Sequence, residues 1–164
     1  MAPIDRLKKL LDQSQVRYEV LPHREAFTAQ EVAQASHVAG RLFAKPVVVR
    51  EATNHFYMAV VSAPQHADLK NIHRMTGRPE GCLATEDELR RLFPDCELGA
   101  MPPIGRLYDL PMYVDEEFRN HESIFFQAGN HHEVVRMRFA DYEKIAGPFT
   151  GEFTVHRETT KLEG

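Results

Sequence analysis

Lys45 begins a short apolar segment of this sequence, and a cation at that position could bind an anionic group. The segment 44–50 contains three consecutive valines, which favour a β-strand. Pro46 is tolerated at the start of such a strand, where a missing N–H matters least. Because side chains alternate along a strand, Lys45 is predicted to share a face with Val47 and Val49. Two interpretations follow: a lysine that snorkels to water from a strand end, or a cation at the mouth of a pocket.

Two further segments could complete a site around Lys45. Residues 99–105 read Gly-Ala-Met-Pro-Pro-Ile-Gly, which is too rich in glycine and proline for regular structure and offers unshielded backbone groups. Residues 129–131 read Gly-Asn-His and are predicted to form a turn between two core strands. Either segment could be a plain connection, since Gly-Asn is also an ordinary hairpin signal. Loops on a rigid scaffold often carry function, so the three pieces are predicted to converge.

Familiar catalytic and metal-binding motifs are absent from the sequence. It contains no GxxxxGK phosphate loop, no GxGxxG, no HExxH and no GxSxG nucleophile elbow. Nine histidines raise the question of a metal, but His66 and His73 are seven residues apart, and His131 and His132 are adjacent. Neither pair has a familiar zinc spacing, so neither a metal nor a cofactor is predicted.

The elements that would position these residues follow from hydrophobic periodicity, capping residues and turn signals. Helices are predicted at residues 4–12, from Thr28 in a capping box with Glu31, at 67–75, from Thr85 to before Pro94, and at 139–146. Strands are predicted at residues 16–21, 44–50, 56–61, 111–114, 123–128 and 133–137, with hairpins at 54–55 and 129–132. Strands joined by hairpins and interleaved with helices favour an α+β fold with a mixed, largely antiparallel sheet and flanking helices.

Length and composition are those of an ordinary globular protein. The 164 residues are 43% hydrophobic and 27% charged, which predicts one domain over residues 1–157 followed by a polar tail at 158–164. No apolar run approaches the ~20 residues that span a membrane, and residues 1–6 contain no hydrophobic signal region. Cys82 and Cys96 lack CxxC spacing and are interpreted as reduced thiols of a cytoplasmic protein, with a single bridge as the alternative.

Charge is unevenly distributed along the chain. The net charge of −4 argues against an extended nucleic-acid footprint, and no predicted helix has the basic face of a DNA-binding regulator. Residues 1–78 contain 11 Lys/Arg and 7 Asp/Glu, whereas residues 79–164 contain 9 Lys/Arg and 17 Asp/Glu. Unless the two halves mix in space, a polyanion contact is predicted on the first half, around Lys45 with Arg24, Arg41, Lys70 and Arg74.

Taken in order, these segments resemble the YbaK/ProX family, the editing-domain superfamily that includes the insertion domain of bacterial prolyl-tRNA synthetases. The resemblance covers roughly residues 3–150. The matching parts are His23 with the helix start at 28–33, the strand start at 44–49, the loop at 99–105 and the turn segment at 126–131. The resemblance implies the YbaK-like fold, in which the sheet curls towards a barrel.

The resemblance also implies a free-standing aminoacyl-tRNA deacylase that hydrolyses the ester of a mischarged tRNA in trans. In the family, the strand lysine contacts the tRNA 3′ end and the Gly/Pro loop shapes the aminoacyl pocket. The implied catalytic residues are Lys45, Gly99 and Met101. The implied substrate-binding residues are His23, Thr28, Pro103, Gly105, Gly129, Asn130 and His131. Ala100 and Pro102 depart from the usual loop pattern, which leaves the size of the pocket open.

This chemistry is compatible with the residues present. An aminoacyl ester is already activated, so a positioned water, backbone dipoles and one cation could suffice without a Ser-His-Asp triad. Selectivity would be steric, admitting a small wrong amino acid and excluding a larger one. The expected partner is the acceptor end of aminoacyl-tRNA, with a small residue on proline tRNA favoured and prolyl-tRNA synthetase as a candidate partner. The alternative is a non-catalytic module that binds a tRNA 3′ end or a nucleotide in the same pocket.

Overall fold

A computed structural model describes residues 3–52 and 54–155 of the chain. The predicted polar tail at 158–164 lies outside the described residues, as do the last two residues of the predicted domain. The α-helices are Asp5–Gln13 (α1), Ala29–Ala35 (α2), Leu69–Thr76 (α3), Glu86–Leu92 (α4) and Phe139–Ala146 (α5). The strands are Tyr18–Pro22 (β1), Ala44–Ala52 (β2), His55–Ser62 (β3), Cys82–Leu83 (β4), Met112–Asp115 (β5), Ser123–Gln127 (β6), Glu133–Arg138 (β7) and Phe149–Gly151 (β8).

The strands form two sheets. One has three strands in the order β1-β7-β6, and the other has five in the order β4-β2-β3-β5-β8. All pairs are antiparallel except β3 with β5 and β5 with β8. A parallel bridge between Phe43 and Phe125 joins the two sheets at the start of β2. The predicted mixed, largely antiparallel architecture with flanking helices is therefore confirmed, although the curled sheets do not close into a barrel.

The main core lies between the two sheets. It includes Val48 and Met58 from the larger sheet and Phe126 and Val135 from the smaller one. Leu7 and Leu11 of α1 are completely buried in it, as the helical stripe at residues 4–12 predicts. The inward faces of the strands are thus used for packing, and two smaller buried clusters lie outside this core.

Capping boxes begin two of the helices, and one of them, α4, contributes Leu89 to the cleft described below. Thr28 accepts a hydrogen bond from the N–H of Glu31 while the Glu31 carboxylate accepts one from the N–H of Thr28, so the predicted capping box begins α2. Thr85 and Glu88 form the same arrangement at the start of α4. Small buried residues then let α2 pack closely in a cluster with Phe43, just before β2, and Val134 of β7.

The parallel part of the larger sheet was missed by the sequence prediction. β8 follows a helix stop at Gly147, and it pairs with β5 through a register that joins Tyr113 to Phe149. β8 has only three residues, which is too short for hydrophobic periodicity to reveal a strand. In the described part of the chain, no helix is long and apolar enough to cross a bilayer.

Candidate active site

A cleft opens where β2 has no neighbour along one edge. β2 pairs with β3 on one side, but on its other side the bridge to β6 ends at Phe43 and pairing with β4 begins only at Val49. Pro46 lies within this gap and has no N–H, so the open edge is a poor template for another strand. The cleft has a volume of about 390 Å³. Its lining residues are Lys45, Pro46, Val47, Val48, His66, Ala67, Leu69, Leu83, Ala84, Leu89 and Met101.

Lys45 places an ammonium group at this largely apolar cleft. Its Nζ donates to the carbonyl oxygens of Ala63 at 3.2 Å and Gln65 at 2.5 Å, which fixes the side chain just beyond the end of β3. Burial lowers the pKa of Lys45 from its usual value. No ion pair of the described residues includes Lys45. An ammonium has three N–H groups and two are used here, so the third can donate to an anionic ligand.

Gln127, the last residue of β6, connects this strand to the Gly/Pro loop. The Phe43–Phe125 bridge brings β6 alongside the residue that precedes β2. The Gln127 amide donates from Nε2 to the carbonyl oxygen of Gly99 at 3.0 Å. Its Oε1 is buried and has no hydrogen-bond partner among the described residues. No role was predicted for Gln127, since a glutamine at the end of a strand is not distinctive until its tertiary contacts are known.

The first half of the Gly/Pro loop is fastened to the β6–β7 turn. The Gly129 N–H donates to the Ala100 carbonyl at 2.9 Å, and the Gly129 carbonyl accepts from the N–H of Glu97 at 2.9 Å. The N–H of His131 donates to the Glu97 carboxylate at 2.6 Å. These bonds hold the loop and the turn as one unit, so the predicted convergence of the two segments is found in the structure.

The ring of His131 adds a further link between the loop and the turn. Its Nε2 lies 2.9 Å from the carbonyl oxygen of Leu98. A carbonyl only accepts, so Nε2 is assigned the proton and Nδ1 becomes an acceptor in the neutral ring. Nδ1 is buried without a partner in the described part of the chain. The exposed ring of Phe27, which the sequence analysis did not single out, lies 4.8 Å from the His131 ring.

Other predicted site residues have structural partners near the turn. The hydroxyl of Thr28 accepts the α2 cap bond. Asn130 closes the turn, because its Oδ1 accepts from the N–H of His132 and its Nδ2 donates to Glu133. The N–H of His23 donates to the carbonyl of His132 at 2.8 Å. These residues shape the turn and the start of α2, beside the loop that reaches the cleft.

The second half of the loop turns into the core and does not reach the cleft. The carbonyl of Pro103 accepts a hydrogen bond of 2.6 Å from the buried Tyr142 hydroxyl. Gly105 is buried, and a Cβ there would lie 2.4 Å from the carbonyl oxygen of Leu110. Neither residue lines the cleft. Pro103 and Gly105 therefore serve packing, and Met101 is the one residue of this loop that lines the cleft.

The cations predicted to accompany Lys45 are exposed. They are Arg24, Arg41, Lys70 and Arg74. Lys70 directly follows Leu69 of the cleft, and Arg74 donates to the side chain of Asn71. Their contact with a polyanion stays a prediction. Within the described residues, no group of three or more His, Cys, Asp or Glu side chains could hold a metal ion.

Comparison with known proteins finds one family and several relatives. The family model described as the aminoacyl-tRNA editing domain matches residues 23–145. A curated relative from Escherichia coli K12, the multifunctional Ser/Thr-tRNA deacylase ProXp-y, is 29% identical over 147 residues, which is 87% of this chain and 87% of the relative. The prolyl-tRNA editing protein ProX of Acetoanaerobium sticklandii is 23% identical over 140 residues, covering 82% of this chain and 85% of that protein.

Solved structures show the same fold. One, described as a candidate trans-editing enzyme for prolyl-tRNA synthetase, superposes with a TM-score of 0.76 at 24% identity and covers 92% of this chain and 96% of its own. A hypothetical protein of known structure superposes with a TM-score of 0.81 at 14% identity. The match covers 92% of this chain and 100% of that protein.

Proposed function

The chain belongs to the family of aminoacyl-tRNA editing domains, and we propose from this premise that it is a trans-editing hydrolase for mischarged aminoacyl-tRNA. The relatives named above as a Ser/Thr-tRNA deacylase and a prolyl-tRNA editing protein support the activity. The observation that carries the proposal is the Lys45 ammonium, which has no carboxylate partner among the described residues and lies at an apolar cleft. Such a cation suits the phosphate of a terminal nucleotide whose amino acid enters the cleft.

In the proposed reaction, water attacks the carbonyl carbon of the aminoacyl ester. The bond from that carbon to the ribose oxygen breaks, the ribose oxygen takes a proton, and free amino acid and tRNA leave. Lys45 stays protonated and holds the terminal nucleotide as a point charge, so it is neither a nucleophile nor a proton shuttle. Its contacts to Ala63 and Gln65 position it before the substrate arrives, which lowers the cost of organising the transition state.

The backbone around Met101 is the proposed source of the groups that stabilise the developing oxyanion. The N–H of Met101 makes no hydrogen bond within the described part of the chain, and the next two residues are prolines without an N–H. Gln127 holds the neighbouring Gly99 carbonyl at 3.0 Å. A donor that is fixed before the reaction and is not used within the fold can stabilise a developing oxyanion.

The cleft is proposed to select its substrate by size. Val48, Leu89 and Met101 give it apolar walls, which accept a small side chain without a polar partner. Apolar walls can exclude a larger side chain, as a second sieve does. We propose a small non-cognate amino acid on proline tRNA as the substrate, the acceptor end as the partner and the cytoplasm as the compartment. An association with prolyl-tRNA synthetase belongs to the same proposal.

A panel of mischarged tRNAs tests this function. Proline tRNA carrying alanine, cysteine, serine or threonine, and correctly charged prolyl-tRNA, would be incubated with the protein while the remaining ester is measured. At least one mischarged species should be hydrolysed far faster than it decays alone, and prolyl-tRNA should be spared. Salt-dependent tRNA binding without hydrolysis of any ester would instead support the non-catalytic module.

Replacing Gln127 by leucine should lower the single-turnover rate of deacylation about 10-fold, because the Gly99 carbonyl loses its donor and the loop beside Met101 loosens. Leucine keeps a similar volume, so the folded structure should survive, as thermal unfolding would show. Gln13→Leu, at the exposed end of α1, is the matched control. A Gln127→Leu rate equal to that of the control would remove Gln127 from the site.

A further inference from the structure

A second depression lies on the outer face of the three-stranded sheet. Its volume is about 540 Å³, which exceeds that of the Lys45 cleft, and it is lined from β1, β7 and the residues that begin β6. Three guanidinium groups line it, from Arg17, Arg136 and Arg138. Two carboxylates, Glu19 and Glu122, line it as well.

The strand register arranges these charges in two rows across the sheet. In the first row, Arg136 lies opposite both Glu19 and Phe125. Its guanidinium pairs with the Glu19 carboxylate at 2.9 Å and lies 5.8 Å from the centre of the Phe125 ring. The charge of Arg136 is therefore paired within the protein, and Glu19 is the carboxylate that pairs with it.

The second row contains two arginines without such partners. Arg138 lies opposite Ser123, and the β1–β7 register continued by one residue places Arg17 opposite Arg138. Among the described residues, neither Arg17 nor Arg138 takes part in an ion pair. Like charges directly across a strand pair repel each other and destabilise the sheet. Glu122 is the one remaining carboxylate of the depression and is exposed to water.

We infer that the Arg17–Arg138 row binds the phosphodiester backbone of the tRNA acceptor stem. This inference rests on the proposed deacylase function and adds a second contact to the one at Lys45. Two guanidiniums that lack a counter-charge and share a concave surface match a sugar-phosphate strand, where contacts to phosphate position the ligand without reading its sequence.

The distance between the row and the cleft supports this partner. Lys45 lies two residues after Phe43, and Ser123 lies two residues before Phe125, to which Phe43 is bridged in parallel. Ser123 lies opposite Arg138, so about four residues of strand separate Lys45 from the row. Four residues of extended strand span about 13 Å. A nucleic-acid strand rises about 3.4 Å per nucleotide, so this separation corresponds to roughly four nucleotides. With the terminal nucleotide held at Lys45, the row would meet the backbone where the single-stranded 3′ end joins the double-stranded stem.

The expected consequence is weaker binding without a loss of chemistry. The double variant Arg17→Ala/Arg138→Ala should raise KM for its mischarged tRNA roughly 10-fold and leave kcat unchanged. The dissociation constant for uncharged tRNA should rise by a similar factor. The slope of log Kd against log salt concentration should become shallower by about 2, one unit for each lost phosphate contact. The Tm should not fall, because the repulsion between the two arginines is removed.

Two controls separate this inference from a general charge effect. Arg119→Ala removes an exposed arginine that pairs with Glu143 and lies outside the depression, so it should leave KM and the salt slope unchanged. A short aminoacylated oligonucleotide that contains only the single-stranded 3′ end should be hydrolysed equally well by the wild type and the double variant. An unchanged KM and salt slope with full-length tRNA, or an equal loss with the short substrate, would overturn the inference. If the wild type deacylates no tRNA, the proposed function itself fails, which is a different result.

Discussion

Replacing Lys45 by alanine is expected to lower kcat/KM for deacylation about 100-fold, which corresponds to roughly 2.7 kcal/mol of transition-state stabilisation. The ammonium is held by the carbonyls of Ala63 and Gln65, and no carboxylate of the described residues neutralises its charge. Without it, the terminal nucleotide would lose its anchor, and the ester would no longer be placed against the Met101 backbone. Single-turnover hydrolysis of the best substrate from the tRNA panel measures this loss.

Three matched variants make the Lys45 result interpretable. Lys45→Arg keeps the charge but has a planar fork in place of a compact ammonium, so it should retain part of the activity. Lys45→Met keeps most of the length without the charge and should be as inactive as Lys45→Ala. Lys9→Ala, at an exposed position of α1, should behave as the wild type. Full turnover in Lys45→Ala would exclude the proposed role of this residue.

The pH dependence of stability provides a second measurement on Lys45→Met. Burial lowers the pKa of Lys45 in the folded protein, because the charged form is the one that loses hydration. The charge therefore destabilises the folded state at neutral pH, and this cost is relieved as the pH rises through the lowered pKa. We expect Lys45→Met to unfold at a higher temperature than the wild type at pH 7, with a difference that narrows as the pH approaches 10.

Replacing Gly129 by alanine is expected to destabilise the folded protein by about 2–4 kcal/mol. Gly129 has a φ of +96°, which L side chains rarely adopt. A Cβ there would lie 2.4 Å from Cγ2 and 2.9 Å from Cγ1 of Ile4. The Ile4 backbone cannot move freely, because its N–H donates to the carbonyl of Ala128. The free energy of unfolding in urea measures the loss.

Gly77→Ala separates the two causes of this loss. Gly77 ends α3 with a φ of +76°, but a Cβ there would meet nothing within 4 Å. Its replacement should therefore cost only the conformational part, about 1 kcal/mol. The Gly129 variant should lose more and should also deacylate more slowly, because the Gly129 backbone holds Ala100 and Glu97. Equal losses for the two variants would mean that Ile4 relaxes without cost.

Elements with a local cause were predicted well. Both capping boxes, at Thr28 and Thr85, and both hairpins are present in the structure, because their signals depend on residues a few positions apart. The parallel strands β5 and β8 were harder, since their pairing depends on contacts between residues about 35 positions apart. Three of the four residues of β5, Met112 to Val114, were predicted as a strand, but the sequence did not show its direction in the sheet.

The residues of the candidate site also differ in whether the sequence could identify them. Lys45, Gly99 and Met101 could be singled out from the chain, because a lysine in an apolar strand and a loop rich in glycine and proline are visible as residue types. Gln127 could not, because its importance comes from the bridge that brings β6 beside β2. Pro103 and Gly105 belong to the same loop as Met101, but they pack against Tyr142 and Leu110.

The sequence by itself determined the strands of the hairpins, the capped helix starts, the family resemblance and the residue types that could perform ester hydrolysis. The tertiary structure decided which of those residues meet. It left one edge of β2 open as a cleft, placed the Lys45 ammonium there without a counter-charge among the described residues, and set Arg17 across from Arg138. The physical reason is that helix caps and turns depend on neighbours in the chain. A cleft and its charges depend on sheet registers that bring distant residues together.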